Sequence, residues 1–312
     1  MIKFPKDIKK IISTLTTNRF EGYAVGACVR DSMAGLEPVG WDVATNAKLD
    51  DLKAMFEDAK VLSEKLSIIR LEFIEEIVEN DEVVGEEGII VDIHTYRDKN
   101  QQLCDSVDED LKRADFTCDA IGYNGMGYAD PIGGLADFKA KKINPNTDPD
   151  ALFAGKPIKI MEVFAMMGQL GFEVSADIKD AMKKHIKKLN DEDLTRVGEE
   201  FGNMLNGDYS GKTLKLFIAM GGVHIILSDE GFNRLMPREK SDMLMLCENI
   251  TRTQKVVERR LGLFYSVLSK NKQLKSIERI NYDEPIKTYL IDAANDLTTL
   301  YFCNTSDSIK KF

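Results

Sequence analysis

This chain predicts a mixed α/β head followed by an all-helical remainder, on three observations. Strand-type apolar runs alternate with helical ones up to about residue 142 and then stop. Helical spacing continues from there almost to the end. The turn-rich stretch Asn144-Pro-Asn-Thr-Asp-Pro-Asp150 divides the two regimes. With 312 residues the chain is longer than one small core requires. The expected division is a head over 1–142, a helical neck and body over 150–230, and a helical tail over 231–312.

In the head, Ile8, Ile11, Ile12 and Leu15 space a helix over Lys6 to Thr17. Gly22 to Cys28 reads as a short apolar strand, Asp31 to Gly35 as a brief helix stopped by its glycine, and Trp41 to Ala44 as a returning strand. Asp50 to Ala59 is amphipathic through Leu52, Met55 and Phe56. Lys65 to Ile77 and Gly88 to Tyr96 read as strands. Asp108 to Gly122 begins with helical character and ends apolar, before turns at Asn124-Gly125 and at Asp130-Pro131-Ile132-Gly133-Gly134. Beyond the linker, helices are expected over Ile158 to Leu170, Ala176 to Leu189, Asp191 to Leu205, Gly211 to Met220, Ser241 to Lys270 and Glu284 to Tyr301.

Composition narrows the function. Hydrophobic content of 43% with 30% charged residues fits a globular protein in water. No apolar run is long enough to span a bilayer, and Met-Ile-Lys-Phe-Pro-Lys-Asp has no apolar signal core, so a cytoplasmic chain without a membrane partner is expected. The five cysteines, Cys28, Cys104, Cys118, Cys247 and Cys303, lack metal-type spacing and read as free thiols. A net charge of −10 argues against coating duplex nucleic acid nonspecifically. Local basic runs at Lys183 to Lys188 and Arg252 to Arg279 read either as solvated helix faces or as a track for RNA phosphates. The acidic run Glu75 to Glu87 reads as a solvated hairpin or loop, or as a shaper of access to the cleft. No Gly-x-x-x-x-Gly-Lys-Ser/Thr occurs, so the sequence does not support a P-loop kinase or ATPase. His94, His185 and His224 stand far apart in sequence and read as structural.

The chemistry-bearing residues cluster in the head. Nucleotidyl transfer gathers negative charge on oxygen, and two Mg²⁺ ions can clamp the attacking and leaving oxygens. Mg²⁺ prefers carboxylate oxygens, and strand residues at i and i+2 point to one side and can share ions. Small residues at a turn let backbone amides approach a triphosphate. Gly26-Ala27 is such a turn, Asp42 is a strand carboxylate, and Asp92 is an acid on a separate apolar strand. Arg30, Arg97 and Arg113 are candidate phosphate clamps, since guanidinium forks match phosphate geometry.

These residues lie in blocks that resemble a known family. Val25-Gly26-Ala27-Cys28-Val29-Arg30-Asp31 and Trp41-Asp42-Val43-Ala44-Thr45-Asn46-Ala47 resemble the first blocks of bacterial-type tRNA nucleotidyltransferases, the CCA-adding enzymes, and their sister poly(A) polymerases. Val91-Asp92-Ile93-His94-Thr95-Tyr96-Arg97, Asp110-Leu111-Lys112-Arg113-Ala114-Asp115-Phe116-Thr117-Cys118-Asp119-Ala120 and Asp130-Pro131-Ile132-Gly133-Gly134-Leu135-Ala136-Asp137 resemble later blocks, in family order. The resemblance covers about residues 1–230. It implies an α+β head of the polymerase-beta-like nucleotidyltransferase type with a mixed sheet, then an all-α neck, body and tail. It also implies transfer of CMP or AMP from CTP or ATP to the 3′ end of tRNA or another RNA. Asp42 and Asp92 would be the catalytic, metal-holding pair for Mg²⁺ or Mn²⁺. Gly26, Ala27, Arg30, Arg97, Arg113 and Asp115 would serve the nucleotide, with Lys156 and Lys159 at the position of the base-selecting helix.

The chain departs from the family pattern at working positions. The first metal-binding Asp is Gly40, and the second Arg of the Arg-Arg-Asp block is Ala114. The base-selecting Glu-Asp-x-x-Arg reads Gly155-Lys156-Pro157-Ile158-Lys159, and two further arginines are replaced by Glu162 and Ala165. Lysines offer donors only and no planar fork. Two outcomes stay open: an enzyme with altered or reduced activity, or a catalytically inactive member that binds RNA or nucleotide.

Overall fold

The computed structural model describes residues 2–79, 82–227 and 235–295. The chain forms two compact units, Met1–Asn146 and Thr147–Phe312.

The first unit is built on a seven-stranded mixed sheet of order β3-β4-β5-β2-β1-β6-β7. Its elements are α1 (Lys6–Thr17), β1 (Tyr23–Val25), α2 (Ala27–Ala34), β2 (Trp41–Thr45), α3 (Leu49–Met55), β3 (Lys60–Ser63), β4 (Ile68–Glu79), β5 (Glu82–Thr95), α4 (Val107–Leu111), β6 (Gly122–Tyr123), β7 (Tyr128–Ala129) and α5 (Gly134–Lys139). Strands β2 and β5 run parallel, and the other pairs are antiparallel. The alternation of β2 decides the layering. Trp41 and Val43 join Val91, Ile93, Ile69 and Leu71 in one buried cluster with Ile8, Ile11, Ile12 and Leu15 of α1, Val29 of α2 and Leu52 of α3. Period two then places Asp42 and Ala44 on the other face, where Ala44 packs with Val25, Tyr96 and Leu111.

Several local devices fix this unit. Gly35 ends α2 in the left-handed conformation that glycine adopts without a Cβ clash. Asp130 accepts from the N–H groups of Gly134 and Leu135 at 2.6 and 3.1 Å and so caps α5. Gly134 must be glycine, because a Cβ there would lie 2.1 Å from the Thr117 carbonyl oxygen.

The second unit is helical: α6 (Pro149–Gly155), α7 (Ile158–Leu170), α8 (Ala176–His185), α9 (Leu194–Asn206), α10 (Ser210–Ala219), α11 (Val223–Ile226), α12 (Pro237–Asn249), α13 (Val257–Ser266), α14 (Lys270–Ile280) and α15 (Glu284–Asn295). Its core holds a run of neighbouring rings, Phe164–Phe217–Phe201–Phe264–Tyr265–Tyr282, with successive centroids 4.7 to 6.3 Å apart. The run links α7, α9 and α10 to α13, so residues of the expected tail share one core with the body. No helix among the described residues is long and apolar enough to cross a membrane.

Local spacing and structure differ in places. Asp108 to Gly122 is not one helix: α4 stops at Leu111, and a short 3₁₀ turn follows at Thr117–Asp119. The pattern over Ser241 to Lys270 breaks at the 3₁₀ turn Ile250–Arg252, after which α13 starts at Val257. Strands β3, β6 and β7 are additions to the sequence reading. The end of the expected helix Glu284 to Tyr301, beyond Asn295, lies outside the described residues, as does Cys303.

Candidate functional site

The polar face of the sheet carries one cross-strand row. Arg70 pairs in register with Asp92, Asp92 with Asp42, and Asp42 with Val25. Adjacent registered residues project to the same side, so Asp42 and Asp92 stand next to each other. Asp42 is exposed. The atoms around its open side still strip water from it, and burial pushes its carboxyl up from the ordinary range. His94 and Arg70 pull it down, while Asp92 adds to the rise.

Asp92 does not face its neighbour unpaired. Arg70 Nε donates to Asp92 Oδ1 at 2.7 Å and Nη2 donates to Oδ2 at 2.8 Å, a bidentate fork with Asp92 a quarter exposed. Sequence reading missed Arg70, because its relation to Asp92 is set by strand register and not by any motif. Position 40, directly before β2, carries no side chain. A Cβ there would meet only the Ile90 carbonyl oxygen, at 3.8 Å, so a larger residue fits.

At the end of β1, Gly26 has φ 78°, which suits glycine, and its N–H donates to the Ile121 carbonyl. Nothing lies within 4 Å of a Cβ built on it, leaving open space beside the turn. Ala27 starts α2, whose first N–H groups have no partner inside the helix. Cys28 anchors α2 underneath, its Sγ donating to the carbonyl of Val25 at 3.2 Å, and burial pushes the thiol up to about 12.

The arginines split. Arg30 is buried, and its guanidinium donates to Asp31 at 2.8 Å and to Asp119 at 2.6 Å, tying α2 to the 3₁₀ turn. Arg97 takes a different place from a phosphate clamp. It is 8% exposed, and its nitrogens donate to the carbonyls of Leu66, Gln101 and Lys65 at 3.2, 2.6 and 2.8 Å. It braces two loops. Arg97→Ala should therefore destabilise the head by about 3 kcal/mol, because three partly buried hydrogen bonds to a charged donor are lost together; urea denaturation measures it, and an unchanged midpoint would show that the brace contributes nothing.

Arg113 donates to Asp110 Oδ1 at 2.6 Å, and its Nε is buried with no partner among the described residues. Asp115 is half-buried, and its carbonyl accepts from Asn146 at 2.8 Å. Asp110 is the hub below the row: it accepts from the Arg97 N–H at 2.9 Å and lies 3.0 Å from His94 Nε2. Burial pushes its carboxyl up, but His94, the Arg97 amide and Arg113 outweigh this and hold it below the usual range. A depressed folded value means the stabilisation is complete above the unfolded value of about 4 and is lost as pH falls through the folded value. Asp110→Asn should lower the urea midpoint at pH 7 and flatten the wild-type decline below about pH 4.

Lys156 and Lys159 belong to the other unit. Lys156 is exposed at the end of α6, while Lys159, on α7, pairs with Glu162 at 2.7 Å. Glu162 also accepts from Arg196 of α9 at 2.9 Å. The basic run Arg252 to Arg279 is only partly a solvated face: Arg260 is buried and donates to the carbonyls of Leu205 and Gly207 at 2.7 Å each, Lys272 pairs with Glu239 at 2.7 Å, and Arg279 donates to Asn190 at 2.8 Å.

Paired acids facing a glycine turn on a mixed sheet, with helices following, are the layout of a nucleotidyltransferase head. The family model for the poly(A) polymerase head domain matches residues 22–144, and that for the probable RNA and SrmB-binding site of polymerase A matches residues 171–229. The chain belongs to the family of CCA-adding enzymes and poly(A) polymerases. It is 29% identical over 220 residues to the CCA-adding enzyme of Anoxybacillus flavithermus, covering 67% of this chain and 52% of that one. It is 27% identical over 216 residues to poly(A) polymerase I of Escherichia coli, covering 66% and 46%. The chain thus spans about half the length of the curated relatives it matches. The fold is also that of the Thermotoga maritima CCA-adding enzyme complexed with tRNA, with a TM-score of 0.65 at 17% identity over 93% of this chain and 70% of that one.

Proposed function

We propose that this chain acts at the 3′ end of tRNA or another RNA with CTP or ATP as nucleotide partner, and that its transfer of CMP or AMP is reduced by orders of magnitude. The observation that carries the reading is the registered pair Asp42 and Asp92 on one sheet face beside the Gly26 turn. The names of its relatives and the RNA-binding model over 171–229 support an RNA partner. Its scattered free thiols suit a cytoplasmic setting.

The family implies Mg²⁺ or Mn²⁺, and the residues present do not fit a two-ion cage. Position 40 supplies no carboxylate, both oxygens of Asp92 are held by Arg70, and among the described residues no group of three or more His, Cys, Asp or Glu could hold an ion. Removing one group that stabilises transition-state charge typically costs about 10²–10³ in rate. What the chain's own residues offer is placement. The Gly26-Ala27 turn leaves room for a triphosphate, the first amides of α2 and the partly exposed Arg113 guanidinium are donors for its oxygens, and Asp42 is the exposed acid beside it.

The test is tRNA ending before CCA, incubated with Mg²⁺ or Mn²⁺ and each labelled nucleoside triphosphate singly. Slow extension by CTP or ATP is the expected result, and the nucleotide used reports what the Lys156–Lys159 segment admits. A chain that neither extends nor binds the tRNA overturns the proposal. The Arg70–Asp92 fork favours a second reading, binding of RNA and nucleotide without transfer, and tRNA retention with no extension would select it.

A further inference from the structure

Two ionised carboxylates side by side on a sheet repel, and such a pair requires a counter-charge. In this chain the counter-charge is covalently part of the sheet. Arg70 stands opposite Asp92 on the neighbouring strand and takes both of its oxygens at 2.7 and 2.8 Å. The other charged or titratable groups around the pair are Asp42 in the same row, Glu72 two residues along β4 from Arg70, and His94 two residues along β5 from Asp92, itself held by Asp110. The fork uses two of the five guanidinium donors. Arg70 Nη1 makes no hydrogen bond among the described residues, and the side chain is a third exposed. The carboxylate that would compete for a divalent ion is missing at Gly40, although the space around that residue would admit one.

We propose that Arg70 is a resident cation in the place of a divalent ion, so that this head binds the phosphates of a nucleoside triphosphate through a guanidinium and requires no metal to do so. The proposal rests on the reading above that the head takes a nucleotide. It goes further in naming what meets the phosphate: a fixed planar donor with free N–H groups, matched to phosphate oxygens. Asp92 then serves as a positioning residue, aiming the guanidinium, and no longer as an ion ligand.

The full chain is titrated calorimetrically with CTP and with ATP, in EDTA and again in Mg²⁺, and separately with Mn²⁺ followed by electron paramagnetic resonance. Triphosphate affinity should agree within about threefold in the two buffers, and Mn²⁺ alone should show no saturable binding. Arg70→Thr should weaken binding in EDTA by about tenfold or more. Arg70→Lys, which keeps the charge and loses the fork, should fall between them. Gly40→Asp with Arg70→Thr should gain saturable Mn²⁺ binding. Triphosphate binding that appears only with a divalent ion, saturable Mn²⁺ binding by the wild-type chain, an unchanged affinity of Arg70→Thr in EDTA, or no triphosphate binding in any buffer would each overturn the proposal. The Mn²⁺ titration of wild type needs no variant to fold. Retention of pre-CCA tRNA, measured alongside, separates the two ideas: if it persists while metal-free binding fails, the resident cation is wrong and the RNA 3′-end reading stands.

Discussion

Gly40→Asp combined with Arg70→Thr should raise nucleotide addition to a tRNA 3′ end by about 10²-fold or more over the natural chain, read by primer extension in Mg²⁺. The first change places a carboxylate two residues before Asp42, at the entry to β2. The space is there, since a Cβ at position 40 meets only the Ile90 carbonyl oxygen at 3.8 Å. The second change frees both oxygens of Asp92. Threonine suits a strand and is too short to reach across. Either change alone should give much less than the pair, because groups acting on one site are not additive. A double variant no faster than wild type would show that this row does not limit nucleotide addition.

Gly207→Ala should destabilise the helical unit by about 3 kcal/mol, seen as a lower urea midpoint or melting temperature. After α9 the chain passes so close to α7 that a Cβ on Gly207 would lie 1.9 Å from the Gly168 carbonyl oxygen. The approach is mutual, since a Cβ on Gly168 would lie 2.4 Å from the Met204 carbonyl oxygen. The same Gly168 carbonyl accepts from the Tyr209 N–H at 2.9 Å, so the backbone cannot retreat without losing that bond. Gly207 has φ −78°, open to any residue, so the penalty is one of space alone. An unchanged midpoint would mean that the two segments are farther apart.

These expectations depend on features of very different legibility in the sequence. The helix over Ile158 to Leu170 was readable to its ends, because a long apolar segment bounded by Pro157 and Gly171 has little alternative. The strands of Asp42 and Asp92 were readable as well, since each acid sits between apolar neighbours. Their adjacency was implied only by the family resemblance and not by local spacing, because parallel register between β2 and β5 is settled by the packing of the whole sheet. Arg70 was invisible for the same reason: nothing local distinguishes it from a surface arginine, yet it lies opposite Asp92. Arg30 and Arg97 mislead in the other direction. Motif position suggests phosphate, whereas burial depends on distant partners, Asp119 for Arg30 and the Lys65–Leu66 carbonyls for Arg97. The two-residue strands β6 and β7 carry too few residues for any period to show.

The chain of rings from Phe164 to Tyr282 also sets what can be exchanged within the helical half. Phe201 touches Phe217 on one side and Phe264 on the other, with centroids 5.5 and 4.7 Å away. A chimaera that grafts foreign helices after residue 230 would have to bring matching aromatics at positions 264, 265 and 282, or leave an oily wound on the donor half. Modular shuffling at that seam is therefore closed to this protein, whatever the order of its helices suggests.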